Sequence, residues 1–119
     1  MVIRQGDVVW LDLPAPRGSA PAGRRPAVVL QHDRFNRTAI NTTVVVAITS
    51  NLRYGALPGN VRLRKGEGGL SRPSIVNVTQ IATVDRSDIT SVSGRLSRAR
   101  LSEVWSGVRL VLEPRNLEL

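Results

Sequence analysis

The chain has 119 residues, of which 41% are hydrophobic, and this suffices for the core of one domain, which we expect to span residues 1–119. It has no cysteine and a single histidine, which excludes disulfides, thiolate metal sites and cysteine nucleophiles. Its formal net charge of +8 is carried almost entirely by arginine and favours polyanionic partners such as nucleic acid.

The N-terminal half of the sequence alternates strand-like segments with polar connections. Strands are predicted over residues 6–14, "GDVVWLDLP", and 26–31, "PAVVLQ", and the second holds a continuous apolar run, which is typical of a strand buried on both faces. Residues 15–25 between them are rich in Gly, Ala and Pro and predict a long loop. Residues 32–41 predict a polar connection with one helical turn, and 42–50, "TTVVVAITS", a third strand.

The C-terminal half continues with strands and turns. Residues 55–63 predict a short strand, which a proline places at a sheet edge, and residues 64–72 predict a turn. Residues 73–85, "PSIVNVTQIATVD", predict a long strand whose alternation slips once, which indicates a bulge or bend. Residues 85–97 predict a connector that holds one short extended piece, "SVSG", at 91–94.

The last predicted element is a helix. Ser97 or Ser102 is a suitable N-cap, and Pro114 ends the element. An apolar stripe with helical spacing is expected to pack on the sheet and comprises Leu101, Val104, Trp105, Val108, Val111 and Leu112. The fold class is therefore mainly β (α+β): a small barrel or strongly bent sheet of short antiparallel strands with a C-terminal helix.

Several catalytic and targeting patterns are missing from the sequence. There is no GxxxxGK[ST], GxGxxG or GxSxG motif, and the single histidine excludes a histidine-pair nuclease. Scattered carboxylates, among them Asp7 and Asp12 on opposite faces of the first strand, predict no metal site. No signal peptide or membrane-spanning stretch is evident, so we expect a cytoplasmic protein without a membrane partner.

Two adjacent arginines, Arg24 and Arg25, precede the buried run "PAVVL". As isolated features they are exposed charges at the start of a strand, or they bind an anion. Arginine with hydroxyl and amide side chains is a set that suits binding phosphate and stabilising charge on it. His32 lies close to the arginines in sequence, so we include it as a candidate contact to nucleic acid, although a lone histidine in a connector is more often a polar loop residue.

Four segments occur in the order and spacing of a known family: "GDVVWLDL", "RGSAPAGRRPAVVLQHD", "VVVAITSN" and "TQIATVD". Together they resemble the MazF/PemK toxins of type II toxin–antitoxin pairs. The resemblance implies an SH3-like barrel, a homodimer, and an endoribonuclease that cleaves single-stranded RNA with neither metal nor organic cofactor. It also implies a cognate antitoxin of the MazE kind, whose acidic, flexible tail occupies the RNA groove.

The resemblance also implies roles for individual residues. Arg25 is expected to be catalytic and Thr49, at the end of the third strand, to be its partner in cleavage by the ribose 2′-hydroxyl. The expected RNA-binding residues are Arg17, Gly18, Ser19, Arg24 and Gln80. The alternative, purely structural interpretations are that Thr49 is an ordinary strand residue and that Gln80 faces solvent.

The sequence departs from the family pattern at Ala20, where a glutamate is common. Asp33, Glu67 or a water molecule could take over its role in proton transfer. Trp10 and Trp105 are expected to be core anchors, and Trp10 could also lie at a dimer seam. Two other functions fit such a chain: a CcdB-like toxin that poisons gyrase, and an inert nucleic-acid-binding barrel.

Overall fold

The computed structural model describes residues 1–13 and 23–115 of the chain. The described strands form one antiparallel sheet in the order β4-β5-β3-β2-β1-β6, and the predicted fold class is confirmed. The elements are β1 (Asp7–Leu13), β2 (Gly23–Val29), α1 (Asp33–Asn36), β3 (Thr42–Thr49), β4 (Val61–Leu63), β5 (Ser74–Asp85), β6 (Ile89–Arg95) and α2 (Arg98–Leu112), with short 3₁₀ helices at Leu52–Ala56, Glu67–Gly69 and Arg86–Asp88.

The sheet curls into an open half-barrel whose edge strands are β4 and β6. The 3₁₀ helix Glu67–Gly69 follows β4 in sequence and packs against β6, so it fills the gap between the two edges. Ser93 on β6 donates its hydroxyl hydrogen to the carbonyl of Gly68 at 2.7 Å. Gly69 has a φ of +74°, and a Cβ there would lie 2.0 Å from the Ser93 carbonyl oxygen, so this approach requires glycine.

Apolar side chains cover both faces of the central strands. Val8 and Val9 are both fully buried although they point to opposite faces, because successive strand residues alternate. The larger cluster lies between the sheet and α2 and includes Val28, Val46, Ile48, Val78, Val104 and Val108. The smaller cluster on the other face includes Ile3, Leu11, Val29, Val45, Val84 and Ile89. The prediction that the "PAVVL" strand is buried on both faces is confirmed.

Three predicted strand limits are wrong. β2 begins at Gly23, before Pro26, because its first residues extend the pairing with β1 while β3 pairs only from Ala27 onward. The predicted strand over 55–63 is reduced to Val61–Leu63, since Gly59 adopts a φ of +78° in a turn that no extended strand allows. The predicted connector forms a full seven-residue strand, β6, because it completes the ladder along β1.

The bulge predicted in the long strand is confirmed in β5. Its pairing with β3 changes from Val46↔Ile81 to Ile48↔Val76, so five positions of β5 span two of β3. Asn60 fills the irregularity: its side-chain oxygen accepts from the Val78 N–H at 2.9 Å. The irregular stretch of β5 includes Gln80.

The predicted helical turn and C-terminal helix are both present, as α1 and α2. Ser97 is the N-cap of α2 and accepts from the Arg100 N–H at 3.1 Å. Val111 and Leu112 do not pack on the sheet as predicted but are 40% and 63% exposed, because the last turn of the helix extends past the sheet. No helix among the described residues is long and apolar enough to span a membrane.

Candidate active site

A cleft opens where β2 and β3 separate. Their pairing ends at Ala27↔Ala47, and the next residue of β2, Pro26, has no N–H with which to continue the ladder. If the register were extended two positions further, Arg25 would lie opposite Thr49. The two residues expected to act together therefore lie on opposing sides of one opening.

We call this opening the arginine cleft; its volume is about 270 Å³. Arg24 and Arg25 line it from β2, and Thr49 lines it from β3. Three of the sequence-predicted site residues are thus brought together. Further lining comes from Trp10, Ser50, Leu70, Ser71, Arg72 and Ser74.

A second cleft, which we call the apolar cleft, lies on the other face of β2 and has a volume of about 290 Å³. Arg25 and Pro26 line both clefts, so the two meet at Arg25. Gln80 lines the apolar cleft, and its neighbours there include Leu11, Leu13, Ala47, Ala82, Thr83 and Asp85. Because the two clefts meet at Arg25, we call them together the groove, and a fourth predicted residue, Gln80, lines it.

The Thr49 side chain lines the arginine cleft and keeps a hydroxyl proton for donation. It is half-buried, and its oxygen accepts a hydrogen bond from the Asn51 N–H at 3.1 Å. A hydroxyl that accepts one hydrogen bond still has its own proton to donate. Among the described residues that proton has no acceptor, so a bound ligand can receive it.

Arg24 lies over an aromatic ring. Its guanidinium carbon is 5.0 Å from the ring centroid of Trp10. A cation–π contact at an exposed site contributes roughly 0.5–1 kcal/mol, and here it also holds the positive charge at the wall of the cleft. Trp10 and Trp105 are both partly buried and both pack against the main core, as expected of core anchors, and Trp10 also lines this cleft.

Gln80 owes its position to the bulge of β5. Asn60 donates from its side-chain nitrogen to the Tyr54 carbonyl at 2.8 Å and to the Asn77 side chain at 3.2 Å. These bonds fix the start of the bulge, and Gln80 lies at its other end, half-buried at the apolar cleft. The alternation of the sequence predicted the bulge but not the clamp that Asn60 forms.

Sequence reasoning missed Ser71, Arg72 and Ser74. They precede or begin β5, whose residue Ile75 pairs with Thr49, and this pairing carries them to the arginine cleft. The buried Ser74 donates its hydroxyl hydrogen to the Arg72 carbonyl at 3.1 Å, which fixes the loop. A signal was present in the sequence: Arg72–Pro73 repeats the Arg25–Pro26 dipeptide.

His32 is not brought to the clefts. It is the N-cap of α1, where its Nδ1 accepts from the Arg34 N–H at 2.9 Å, beyond the end of β2 opposite to Arg25. Its assignment as an RNA contact stays a prediction that this position does not favour. Arg17, Gly18, Ser19 and Ala20 lie outside the described residues.

The two carboxylates suggested as replacements for the missing glutamate are engaged elsewhere. The Gln5 N–H donates to Asp33 at 2.7 Å and lowers the pKa of that carboxyl. The hydrogen bond from Arg100, at 2.8 Å, lowers the pKa of Glu67. Neither residue lines the two clefts, and a lowered pKa makes a carboxylate a weaker base. The described residues contain no group of three acidic or histidine side chains that could hold a metal ion.

Comparison with known proteins gives matches along most of the chain. The family described as "PemK-like, MazF-like toxin of type II toxin-antitoxin system" matches residues 4–112. "Endoribonuclease MazF6" of Mycobacterium tuberculosis is 42% identical, with 95% of this chain and 99% of that protein covered. "Endoribonuclease EndoA" of Bacillus subtilis is 31% identical, and the match covers 94% of this chain and 96% of that protein.

The solved structures agree in fold. A crystal structure of MazF from Deinococcus radiodurans superposes with a TM-score of 0.80 at 24% identity and covers 96% of this chain and 99% of that chain. A mycobacterial endoribonuclease in complex with its cognate antitoxin superposes with a TM-score of 0.76 at 19% identity, covering 95% and 98%.

Proposed function

The chain belongs to the PemK-like, MazF-like toxins of type II toxin–antitoxin systems, and we propose that it is an endoribonuclease that cleaves single-stranded RNA. The observation that carries the proposal is the placement of Arg25 and Thr49 on opposing sides of the arginine cleft. Relatives with 42% and 31% identity over nearly the whole chain are named endoribonucleases, which supports the same activity here.

RNA carries its own nucleophile for this reaction. The 2′-hydroxyl attacks the adjacent phosphorus and loses its proton, the bond from phosphorus to the 5′-oxygen breaks, and the leaving oxygen gains a proton. The products are a 2′,3′-cyclic phosphate and a free 5′-hydroxyl. Negative charge gathers on the non-bridging oxygens, where we assign the Arg25 guanidinium as a donor of charge-assisted hydrogen bonds. The Thr49 hydroxyl donates to the same phosphate.

The other groove residues bind the substrate. Arg24 and Arg72 are placed in the arginine cleft to contact phosphates next to the scissile one. Gln80, amid the apolar side chains of the second cleft, is suited to hydrogen-bond a base whose face rests on the apolar lining. Arg17, Gly18 and Ser19 complete the proposed contacts from the segment between β1 and β2.

Proton transfer is assigned to water in this proposal. Arginine stays protonated in nearly every protein environment, so Arg25 is not the general base. Asp33 and Glu67 are engaged away from the cleft, and Ala20 offers no acidic group. Reaction through water is consistent with a slow enzyme.

The proposed partners follow from the charge of the groove. A cleft with three arginines attracts acidic peptide segments as well as RNA, so a cognate antitoxin with an acidic tail is the expected inhibitor. One superposed structure is a toxin with its cognate antitoxin, which supports this expectation. We further propose that the chain acts as a homodimer in the cytoplasm, where its RNA substrates are found.

The test compares purified wild-type, Arg25→Ala and Thr49→Ala chains on labelled single-stranded RNA in EDTA. We expect wild-type cleavage, and a loss of about 10²–10³-fold in each variant, because each removes one donor to the developing charge. Arg98→Ala on α2 is the control, since Arg98 is exposed and lines neither cleft. Equal cleavage by all four chains would overturn the proposal.

The same assay separates the two other functions. A gyrase poison leaves RNA intact, and no comparison favours that reading. An inert RNA-binding barrel binds the normal strand and a 2′-deoxy-substituted strand alike and cuts neither. Cleavage of the normal strand alone distinguishes the proposed enzyme from both.

A further inference from the structure

A third cavity lies at the other end of the sheet from the arginine cleft and has a volume of about 360 Å³. Three arginines line it: Arg4 before β1, Arg37 at the end of α1, and Arg86 after β5. We call it the three-arginine pocket. It shares no lining residue with the other two clefts. The two sites lie toward opposite ends of β1. From Asp7 to Leu11, which pairs with Arg25, this strand rises by about 13 Å.

The floor of the pocket is organised by buried polar contacts. Asn36 is only 5% exposed, and its side chain is held by Gln31 at 2.7 and 3.0 Å and by the Thr43 hydroxyl at 3.0 Å. The guanidinium of Arg86 donates to the Asn36 carbonyl. Its Nε is buried and has no hydrogen-bond partner among the described residues. A buried donor without an acceptor is rare in native proteins, and a ligand in the pocket would explain it.

The charge of the pocket is not balanced by the residues described. Asp33 is the carboxylate in its lining, and that group already accepts from the Gln5 N–H at 2.7 Å and the Asn36 side chain at 3.4 Å. Among the described residues the ion pairs of arginine involve Arg95 and Arg100, so none of the three pocket arginines has a described carboxylate within 4.0 Å. Three guanidinium groups against one carboxylate leave an excess of two positive charges. The planar fork of arginine suits a bidentate phosphate contact.

We propose that the three-arginine pocket binds a phosphate group of the RNA remote from the cleavage site, so that the chain holds its substrate at two places. This inference rests on the proposed function for the identity of the polymer, while the chemistry of the pocket requires only a phosphate. Arg4 and Arg37 are exposed, which leaves their charge within reach of a passing strand, and Arg86 is fixed at the floor.

The experiment measures equilibrium binding of RNA to the Arg25→Ala chain at several salt concentrations. A binding measurement needs no cleavage, so it is independent of the catalytic test. The variant is Arg4→Gln with Arg37→Gln, two exposed positions that form no ion pair with described residues. The control, Arg98→Gln with Arg109→Gln, removes the same charge from exposed positions on α2. Thermal unfolding checks that all chains fold.

Each phosphate contact with a single strand contributes about 0.7 to the slope of log K against log salt. We expect the pocket variant to reduce the slope by about 0.7, the contribution of one phosphate, with an RNA of about 25 nucleotides and to leave it unchanged with one of about 5 nucleotides that fills only the cleavage groove. The control variant should change the long-RNA affinity by less than about twofold, because Arg98 and Arg109 meet no phosphate.

A separate measurement with inorganic phosphate distinguishes the source of the ligand. If inorganic phosphate stabilises the parent chain but not the pocket variant, while RNA binding is the same in both, the pocket takes a free phosphate and the RNA contact is refuted. If the pocket and control variants behave alike with RNA and with phosphate, there is no phosphate site at the pocket. Either result leaves the assignment of Arg25 and Thr49 standing.

Discussion

Arg72 lies on the side of the arginine cleft that β3 and β5 form, whereas Arg25 lies on the β2 side. Replacement by alanine removes one charge-assisted contact to phosphate, which contributes about 1.5–3 kcal/mol. We expect Arg72→Ala to lower kcat/KM for RNA cleavage by about tenfold or more, mainly through KM, with partial recovery in Arg72→Lys. Steady-state kinetics on a defined RNA measures both constants.

Arg62→Ala is the matched control for this prediction. Arg62 is an exposed arginine on β4 that lines neither cleft, so its loss changes net charge equally without touching the groove. A kcat/KM for Arg72→Ala within twofold of the Arg62→Ala value would show that Arg72 does not meet the substrate.

Glu67 links folding stability to pH. The hydrogen bond from Arg100 lowers its pKa in the folded chain, and both side chains are about one-quarter exposed, at 26% and 24%. A group whose folded pKa is lowered stabilises the fold above its unfolded pKa, about 4.3 for glutamate, and this contribution is lost as pH falls through the folded value. Glu67→Gln should therefore lower the free energy of unfolding by about 1 kcal/mol at pH 7 and by almost nothing near pH 3.

Urea unfolding at the two pH values checks this expectation, with Glu103→Gln as the control. Glu103 pairs with the same arginine at 3.1 Å, but its side chain is 51% exposed, so its removal should matter less. A difference between wild type and Glu67→Gln that is the same at both pH values contradicts the assigned cause.

How far the sequence predicts the site depends on whether its residues are joined by local or distant contacts. Arg25 and Thr49 were predicted from the resemblance to the MazF/PemK family, whose motifs at these strand ends are local in sequence. Arg72 could not be placed because the long-range pairing of β3 with β5 brings it to the cleft. His32 shows the converse: seven residues from Arg25 in sequence, it is carried away by the extended strand between them.

At the level of elements, α2 depends on a close contact between backbones. A Cβ added at Gly107 would lie 2.1 Å from the carbonyl oxygen of Gly59, so the helix can approach this turn only with glycine. Gly107→Ala gains about 1 kcal/mol of helix propensity but must move the helix or the turn. Because overpacking costs about 1–3 kcal/mol or more, we expect net destabilisation by about 1–2 kcal/mol, measured by urea unfolding.

Ser106→Ala tests the same helix without the contact. Ser106 is exposed and donates only to the Ser102 carbonyl one turn earlier, at 3.1 Å, so alanine there should be neutral or slightly stabilising. Equal stability of the Gly107→Ala and Ser106→Ala chains would mean that the turn at Gly59 yields without cost.

The limits of sequence prediction are also visible in the elements. Period and capping identified α2 and gave Ser97 as one of two N-cap candidates, since both signals depend on residues within a few positions. The same period placed Val111 and Leu112 in the core, but only the length of the sheet beneath the helix decides where packing ends. β6 was predicted only as the short extended piece at 91–94, because its full length forms through pairing with the neighbouring β1.

At the scale of the whole molecule, the net charge of +8 makes RNA binding depend on salt. If Arg24, Arg25 and Arg72 each meet one phosphate, the slope of log K against log salt is about −2.1, which predicts roughly a 20-fold loss of affinity between 50 mM and 200 mM salt. Cleavage of a short RNA should show this loss in kcat/KM. By contrast, kcat at saturating RNA should stay nearly constant. The reason is that salt screening weakens encounter and binding but has little effect on a bound phosphate from which water is excluded. A kcat that falls in parallel with kcat/KM would mean that the guanidinium groups remain exposed to solvent ions in the complex. In that case charge stabilisation by Arg25 would contribute less to the rate than the proposed mechanism requires.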